Sequence, residues 1–427
     1  MITPAGDNVR EITVDELRKK FVGVEEERAK VGTGMNIVNE DEHMLLSMGP
    51  QHPSTHGVLR LLVELEGEKI INLAPDIGYL HTGIEKNMEA KTYTKALVMT
   101  DRMDYLSPMS NNLGYIMAIE KLVGVEPPPR AKAIRTVLVE MARISSHLVW
   151  LGTHALDLAA MSVFLYCFRE REYILDVFEM CSGQRMMVSY FRPGGLWRDV
   201  PEEFEPAIRQ FLDFMPGKIA DYEALLKNNP IWLSRTKDVG YISAEDAIAW
   251  GLTGPSLRGS GVDWDLRRKR PYLLYDELEF DVPVATAGDV YARYEVRMEE
   301  MRQSLRIIQQ VMDNMPKGAV NADDRKVVPP PRSELGQSME AVIHHFKLWT
   351  EGFSAPEAYV FQSIESPRGE FGCYLRGNGG PKPARVHFRA PSYVNLASLP
   401  LMSKNLYVAD LVAIIGSVDI VLGEIDR

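Results

Sequence analysis

Residues 127–151 read PPPRAKAIRTVLVEMARISSHLVWL. The proline triplet punctuates the chain, and behind it Ile134, Val137, Leu138, Met141, Ile144, Leu148 and Leu151 recur at intervals of three and four. That spacing lays an apolar stripe along a long helix with one buried face. Such a face needs other helices against it, and three more long helical regions follow, at about Leu156 to Met187, Glu202 to Lys227 and Val290 to Met315. A large helical bundle is therefore expected over residues 83–327.

On the N-terminal side the period is that of strands. Leu61, Val63 and Leu65 alternate with Arg60, Leu62 and Glu64, and the turn from Glu66 to Lys69 leads into Ile70, Ile71 and Leu73, which predicts a β-hairpin within residues 44–82. Ahead of it lies GPQHPSTHG at 49–57, where two prolines and two glycines disfavour regular structure and enforce a shaped loop. Residues 1–43 are polar, carry one short helical candidate at Val14 to Phe21, and read as an arm that packs on something else.

Beyond the bundle, Pro329 to Pro331 marks a linker into a 328–427 segment. A helix is expected near Ser338 to Thr350, then strands at Tyr359 to Ile364, Glu370 to Arg376 and Ala384 to Arg389, with the GNGGP turn at 377–381 supporting a hairpin between the last two. A final helix near Val408 to Gly416 runs into SVDIVLGEIDR at 417–427. The whole is an α+β chain: an N-terminal β-hairpin, a central helical bundle and a C-terminal β-hairpin extension.

Composition narrows the function. The 427 residues are 45% hydrophobic, enough for a sizeable core, and 59 acidic against 48 basic residues give a net charge of −11. That balance offers no electrostatic footprint for nucleic acid or an anionic membrane surface. The N-terminus lacks the apolar core of a signal peptide, and the most apolar run, Leu411 to Leu422, is broken by Gly416 and Asp419 and falls short of the roughly 18 to 20 residues that span a bilayer. Only Cys167, Cys181 and Cys373 occur, none in a ligand-like spacing, so each reads as a small buried apolar residue in a cytoplasmic protein.

Three segments are chemically unusual: the 49–57 loop, RMDYL at 102–106, and the terminal 417–427 stretch. His52 and His56 are four apart, but Pro53 argues against a helix face that would make them a metal pair. With IGYLHTGIEK at 77–86, SSHLVWLGTHALDL at 145–158, LTGPSLRGSG at 252–261, SMEAVIHHFKLWTEGF at 338–353 and APSYVNLASLP at 390–400, these strings resemble the D subunit of complex I, from about Met44 to Arg427.

The resemblance implies descent from the large subunit of nickel-iron hydrogenases, whose metal is held by RxCGxCxxxH and DPCxxCxxH motifs. On the first, Arg102 matches the arginine, Asp104 and Ser107 stand at the cysteines, and Asn111 at the histidine. On the second, Asp419 matches the aspartate, Val421 and Glu424 replace the cysteines, and Arg427 takes the last position. Soft thiolates retain nickel and low-spin iron, and none of these side chains replaces them. An active hydrogenase subunit is therefore disfavoured, and no metal or cluster is expected in this chain.

What the resemblance implies instead is a quinone-binding, peripheral-arm subunit of a proton-translocating NADH:quinone oxidoreductase. It would work beside the B, C, I and H subunits on the cytoplasmic side of the membrane, and its C-terminal segment would return to the site. Electrons would come from the terminal 4Fe-4S cluster of the adjacent B subunit. His56 and Tyr105, with ordinary pKa values of about 6.5 and 10, would hydrogen-bond quinone and donate protons, and Asp157 would hold the His56 tautomer. Without the resemblance Asp157 reads as a helix cap or surface acid and Tyr105 equally well as an amphipathic core tyrosine; a non-redox scaffold that merely joins subunits is a rival reading of the chain.

Arg102 would lie beside the cluster, where a fixed cation raises its potential. Many relatives carry a hydrogen-bonding histidine where Met187 stands; methionine cannot donate, so a lower potential and menaquinone as acceptor are expected. His147 reads as structural and partly buried. A ferredoxin-fed sister complex that reduces plastoquinone shares this subunit and is the alternative.

Overall fold

The computed structural model describes residues 43–51 and 57–427. The Val14–Phe21 helical candidate and both loop histidines, His52 and His56, lie outside the described residues.

Strands β1 (Met44–Met48), β2 (Arg60–Glu66) and β3 (Lys69–Asp76) form one antiparallel sheet in that order. The expected hairpin is the β2–β3 pair, turning through Gly67 at a φ of 62°, which glycine adopts freely. Leu61, Val63 and Leu65 face inward and are buried. The additional strand, β1, is a five-residue run too short to carry a pattern of its own. Between β1 and β2 the backbones of Gly49 and Leu59 touch: a Cβ on Gly49 would lie 2.1 Å from the Leu59 carbonyl oxygen. That contact closes the neck of the 49–57 loop.

Helices α1 (Ile84–Glu89), α2 (Tyr93–Thr100) and α3 (Pro108–Val123) lead to α4 (Pro129–Asp157). The expectation of one buried face falls short for α4, which is covered around almost its whole circumference, including Arg135, Glu140, Arg143 and His147. Helices α3 and α5 (Met161–Ser182) pack around it, together with two later helices, Val290–Asp313 and Val408–Val418. Its charged residues tolerate this because each finds a partner: Arg135 Nη2 donates to Glu120 Oε1 at 2.7 Å and Arg143 Nε to Glu140 Oε2 at 3.2 Å. The helical region expected from Leu156 to Met187 is shorter. It breaks at Ala159, whose φ of 69° no helix accepts, and ends at Gly183, whose φ of 82° caps α5.

A two-strand clip, β4 (Phe191–Arg192) with β5 (Gly195–Leu196), precedes α6 (Phe204–Leu226). Four short helices follow, α7 (Pro230–Thr236), α8 (Ala244–Ala249), α9 (Pro255–Arg258) and α10 (Leu266–Lys269), before the long α11 (Val290–Asp313). Next comes α12 (Met339–Thr350), capped by Ser338, whose hydroxyl accepts from the Ala341 N–H at 3.2 Å. The outward side of α12 is apolar: Met339 is 78% exposed and Phe346 65%, with Val342, Ile343 and Trp349 beside them.

A second antiparallel sheet, β6 (Tyr359–Ser366), β7 (Gly369–Arg376) and β8 (Arg385–Arg389), packs on α3. The last helices are α13 (Pro391–Ala397), α14 (Leu399–Ser403), α15 (Val408–Val418) and α16 (Leu422–Asp426). Residues 417–427, read only as a terminal segment, thus finish α15 and form a further turn of helix.

Two apolar clusters organise these parts. One fills the bundle and the β6–β8 sheet; the other joins β1–β3 to Leu411, Ile414, Ile415, Val418, Leu422 and Ile425, bringing the first and last described segments together. Cys167, Cys181 and Cys373 are all buried, as expected. No helix among the described residues is long and apolar enough to cross a membrane.

Candidate functional site

Residues 101–107 bridge α2 and α3, where Pro108 sets the first helical position. A loop this short is shaped by its side chains. Asp101 is buried and accepts from the Ser189 N–H at 3.1 Å, the Ser189 hydroxyl and Asn112 Nδ2; burial lifts its carboxyl to about 6. Asp104, also buried, accepts through Oδ1 from the N–H groups of Leu106 at 3.1 Å and Ser107 at 3.3 Å. These bonds turn the chain so that Tyr105 stands half-buried at the loop's crest.

The C-terminal segment meets this loop. A Cβ on Gly423 would lie 2.6 Å from the Met103 carbonyl oxygen, 3.0 Å from that of Arg102 and 3.3 Å from Tyr105 Cε1, so only glycine lets α16 come this close. Asp426 anchors its far end by accepting from the Gly78 and Leu80 N–H groups at 2.9 and 2.7 Å. Glu424 is buried and accepts from the N–H of Ser392 at 3.2 Å and from its hydroxyl, which in turn receives the Val421 N–H at 3.3 Å.

Between the two segments sits the guanidinium of Arg368, fully buried at the β6–β7 turn. Its Nη1 donates to Asp104 Oδ2 at 2.6 Å and to Ser146 Oγ at 3.0 Å, and its Nη2 to Asp419 Oδ1 at 3.3 Å. Burial raises the Asp104 carboxyl, with Arg368 opposing and Asp419 adding to the rise. Glu424 is lifted to about 7, first by burial and then by Asp104. The Tyr105 phenol is raised by burial, while Arg368 pulls it down and Asp104 pushes it up.

Asp104 and Ser107 on one side, and Val421 and Glu424 on the other, therefore lie on two facing segments although more than 300 residues separate them. Ser107 turns to Ser110 at 2.7 Å, and Asn111 Nδ2 donates to the Thr100 carbonyl oxygen at 3.3 Å. The Arg368 guanidinium bridges Asp104 on one segment and Asp419 on the other. Arg102 is exposed at the same loop. Met187 is half-buried two residues before Ser189, so it and Arg102 flank the same Asp101–Ser189 bonds.

Asp157, the last residue of α4, is half-buried and raised to about 6 by burial, and no side chain among the described residues hydrogen-bonds it. His56, its expected partner, lies outside those residues. His147 is fully rather than partly buried: Nε2 donates to Glu300 Oε2 at 2.8 Å, deep between α4 and α11. Sequence reasoning missed Arg368. Pro367-Arg368 between two strands carries the pattern of an exposed turn, and no local signal marks that arginine as buried.

Comparison with known proteins supplies the family. The model of the respiratory-chain NADH dehydrogenase 49 Kd subunit matches residues 157–427. The chain is 60% identical over 394 residues to the D 2 subunit of NADH-quinone oxidoreductase from Roseiflexus sp. (strain RS-1), covering 92% of this chain and 94% of that one. The chain belongs to the D-subunit family of NADH-quinone oxidoreductase. The D 1 subunit of Roseiflexus castenholzii is 62% identical over 389 residues (90% and 93% of the two chains), and the D subunit of Geobacter sulfurreducens 54% over 386 (90% and 99%). The family match and the convergence of residues 101–107 with 417–427 are independent observations: one compares residues along the chain, the other in space.

Proposed function

We propose that this D-type chain forms, with the B subunit of the complex, the chamber in which quinone is reduced by electrons from that neighbour's terminal 4Fe-4S cluster. The relatives' names supply NADH as donor and quinone as acceptor. The observation that carries the reading is the meeting of the Tyr105 loop with α16: a phenol, raised by burial, stands at the edge of a buried group of carboxylates bridged by Arg368. Reduction of quinone to quinol needs two electrons and two protons. Tyr105 supplies one proton to a quinone oxygen and His56 the other, with Asp157 holding the His56 tautomer.

The facing segments support descent from a hydrogenase large subunit whose metal cavity became the inner end of this chamber. Arg102 and Met187 face the cluster, and Met187, unable to donate a hydrogen bond, suits a low-potential acceptor such as menaquinone. The C, I and H subunits complete the surroundings, and the assembly sits on the cytoplasmic face of the membrane.

The test is Tyr105→Phe in the assembled complex, which deletes a hydroxyl and almost no volume. Quinone reduction should fall by roughly a hundredfold, the lower end of the range for losing a general acid. Electron transfer from NADH to a water-soluble artificial acceptor should be unchanged. Wild-type quinone turnover in that variant refutes the donor role of Tyr105.

A further inference from the structure

Arg368 hydrogen-bonds to both halves of the site. From the β6–β7 turn it donates to Asp104 on the Tyr105 loop, to Ser146 on α4 and to Asp419 at the end of α15. The charged and titratable groups that face it from every packed element are Asp104, Tyr105, Asp419, Glu424 and, from α11, Arg297. Arg368 is fully buried, so water screens its field weakly, and its charge pulls the Tyr105 phenol down against burial and against Asp104. A guanidinium fixed by three bonds is also pre-organised: it does not reorient when charge develops beside it.

We propose that Arg368 is a positioning residue of the quinone site, tying the Tyr105 loop to the C-terminal segment and stabilising the phenolate that Tyr105 becomes when its proton passes to the reduced quinone. This rests on the reading of Tyr105 as a donor. In the step, the Tyr105 O–H bond breaks and its proton joins one quinone oxygen while His56 protonates the other, the two electrons arriving one at a time by way of the cluster that the adjacent subunit would hold. Both donors are then re-protonated from water. Arg368 moves no proton; held on Asp104, the residue next to Tyr105, its charge makes the phenol a better acid, as a nearby opposite charge does for any acid.

The experiment compares Arg368→Met with Arg368→Lys in the full complex, reading quinone reduction against pH. Loss of the cation should lower turnover at least tenfold and move the alkaline limb of the profile up by about one pH unit or more, the displacement expected when a nearby charge is removed. Arg368→Lys keeps the charge and should leave the limb in place even where imperfect geometry slows turnover. A merely structural arginine would lower assembly in both variants and move neither limb. An unmoved limb in Arg368→Met, or equal displacement in both variants, overturns the proposal.

Asp419→Asn keeps the test open if Arg368→Met fails to assemble. Removing that anion frees the field of Arg368 and should move the limb down; a limb that stays or rises overturns the proposal. Wild-type turnover in Tyr105→Phe sinks the underlying reading. A Tyr105→Phe defect beside an unmoved Arg368→Met limb sinks only the role given to Arg368.

Discussion

Asp157 shows what burial alone does to a single carboxyl. Its folded-state value of about 6 lies above the ordinary 3.8, so the folded chain holds the proton more tightly than the unfolded one. Ionisation therefore costs stability: the penalty is absent at low pH, grows as pH rises from about 4 to 6, and is complete above that. Asp157→Asn should accordingly melt higher than the native protein at neutral pH, with the difference shrinking as pH is lowered from about 6 towards about 4. Its quinone turnover should still fall, though less than in His56→Ala, because Asn keeps an acceptor for the imidazole. Melting and turnover of the two variants check this; a worse turnover defect in Asp157→Asn contradicts the pairing. Met187 invites a gain-of-function change. Met187→His adds a donor that can protonate, so redox titration at several pH values should find the 4Fe-4S cluster proposed for the adjacent B subunit at a higher, pH-dependent potential. A potential left unmoved ends the case for menaquinone. At this scale the sequence marked Tyr105, Asp104 and Glu424 by their company in odd strings, and it hid Arg368, whose partners lie 264 and 51 residues away.

Elements were legible where their pattern was long. The hairpin of β2 and β3, the bulk of α4, α6 and α11, and the β7–β8 pair fall where period and turn residues put them. What did not follow was closure: α5 begins after a break at Ala159 because packing onto α4 requires a reversal that apolar periodicity does not register. The short α16 was likewise invisible as a helix, since five residues carry no period. Its placement depends on Gly423, and Gly423→Ala should show it. The new methyl would meet two backbone carbonyl oxygens, at 2.6 and 3.0 Å, which cannot swing aside as a side chain does. A loss of roughly 1 to 3 kcal/mol, the usual cost of overpacking, is expected. Thermal melting of the complex measures it, and quinone reduction should drop more than the stability loss explains because Tyr105 moves with the loop. A variant as stable and active as the native protein would mean that the segment docks some other way.

Across the whole molecule, the charge count concealed an interior of ions. Arg143, Arg258 and Arg267 with Glu140, Asp265, Glu300 and Glu365 form one fully buried block between α4, α11 and the loops around α9 and α10. Tyr275 and Ser304 donate to Glu140 at 2.6 Å each. On sequence alone Glu140 and Arg143 look like a solvated helix face, because nothing in one dimension tells a wet polar stripe from one that meets its counter-charges. Glu300→Ala strips His147 and Arg258 of a shared acceptor and should cost about 3 to 5 kcal/mol, as broken buried pairs do. Its neighbour Glu299, in a half-exposed pair with Arg302 at 3.2 Å, should cost under about 1 kcal/mol when changed to alanine. Chemical denaturation of the two variants tests the contrast, and equal losses would mean that the block does not hold the bundle together. The outward apolar row of α12, from Met339 to Trp349, bears on how the protein is handled. A row of that kind in contact with water invites self-association, so the chain made by itself should come out of cells as polydisperse, detergent-sensitive material. Co-expression with the rest of the complex is then the route to a well-behaved sample.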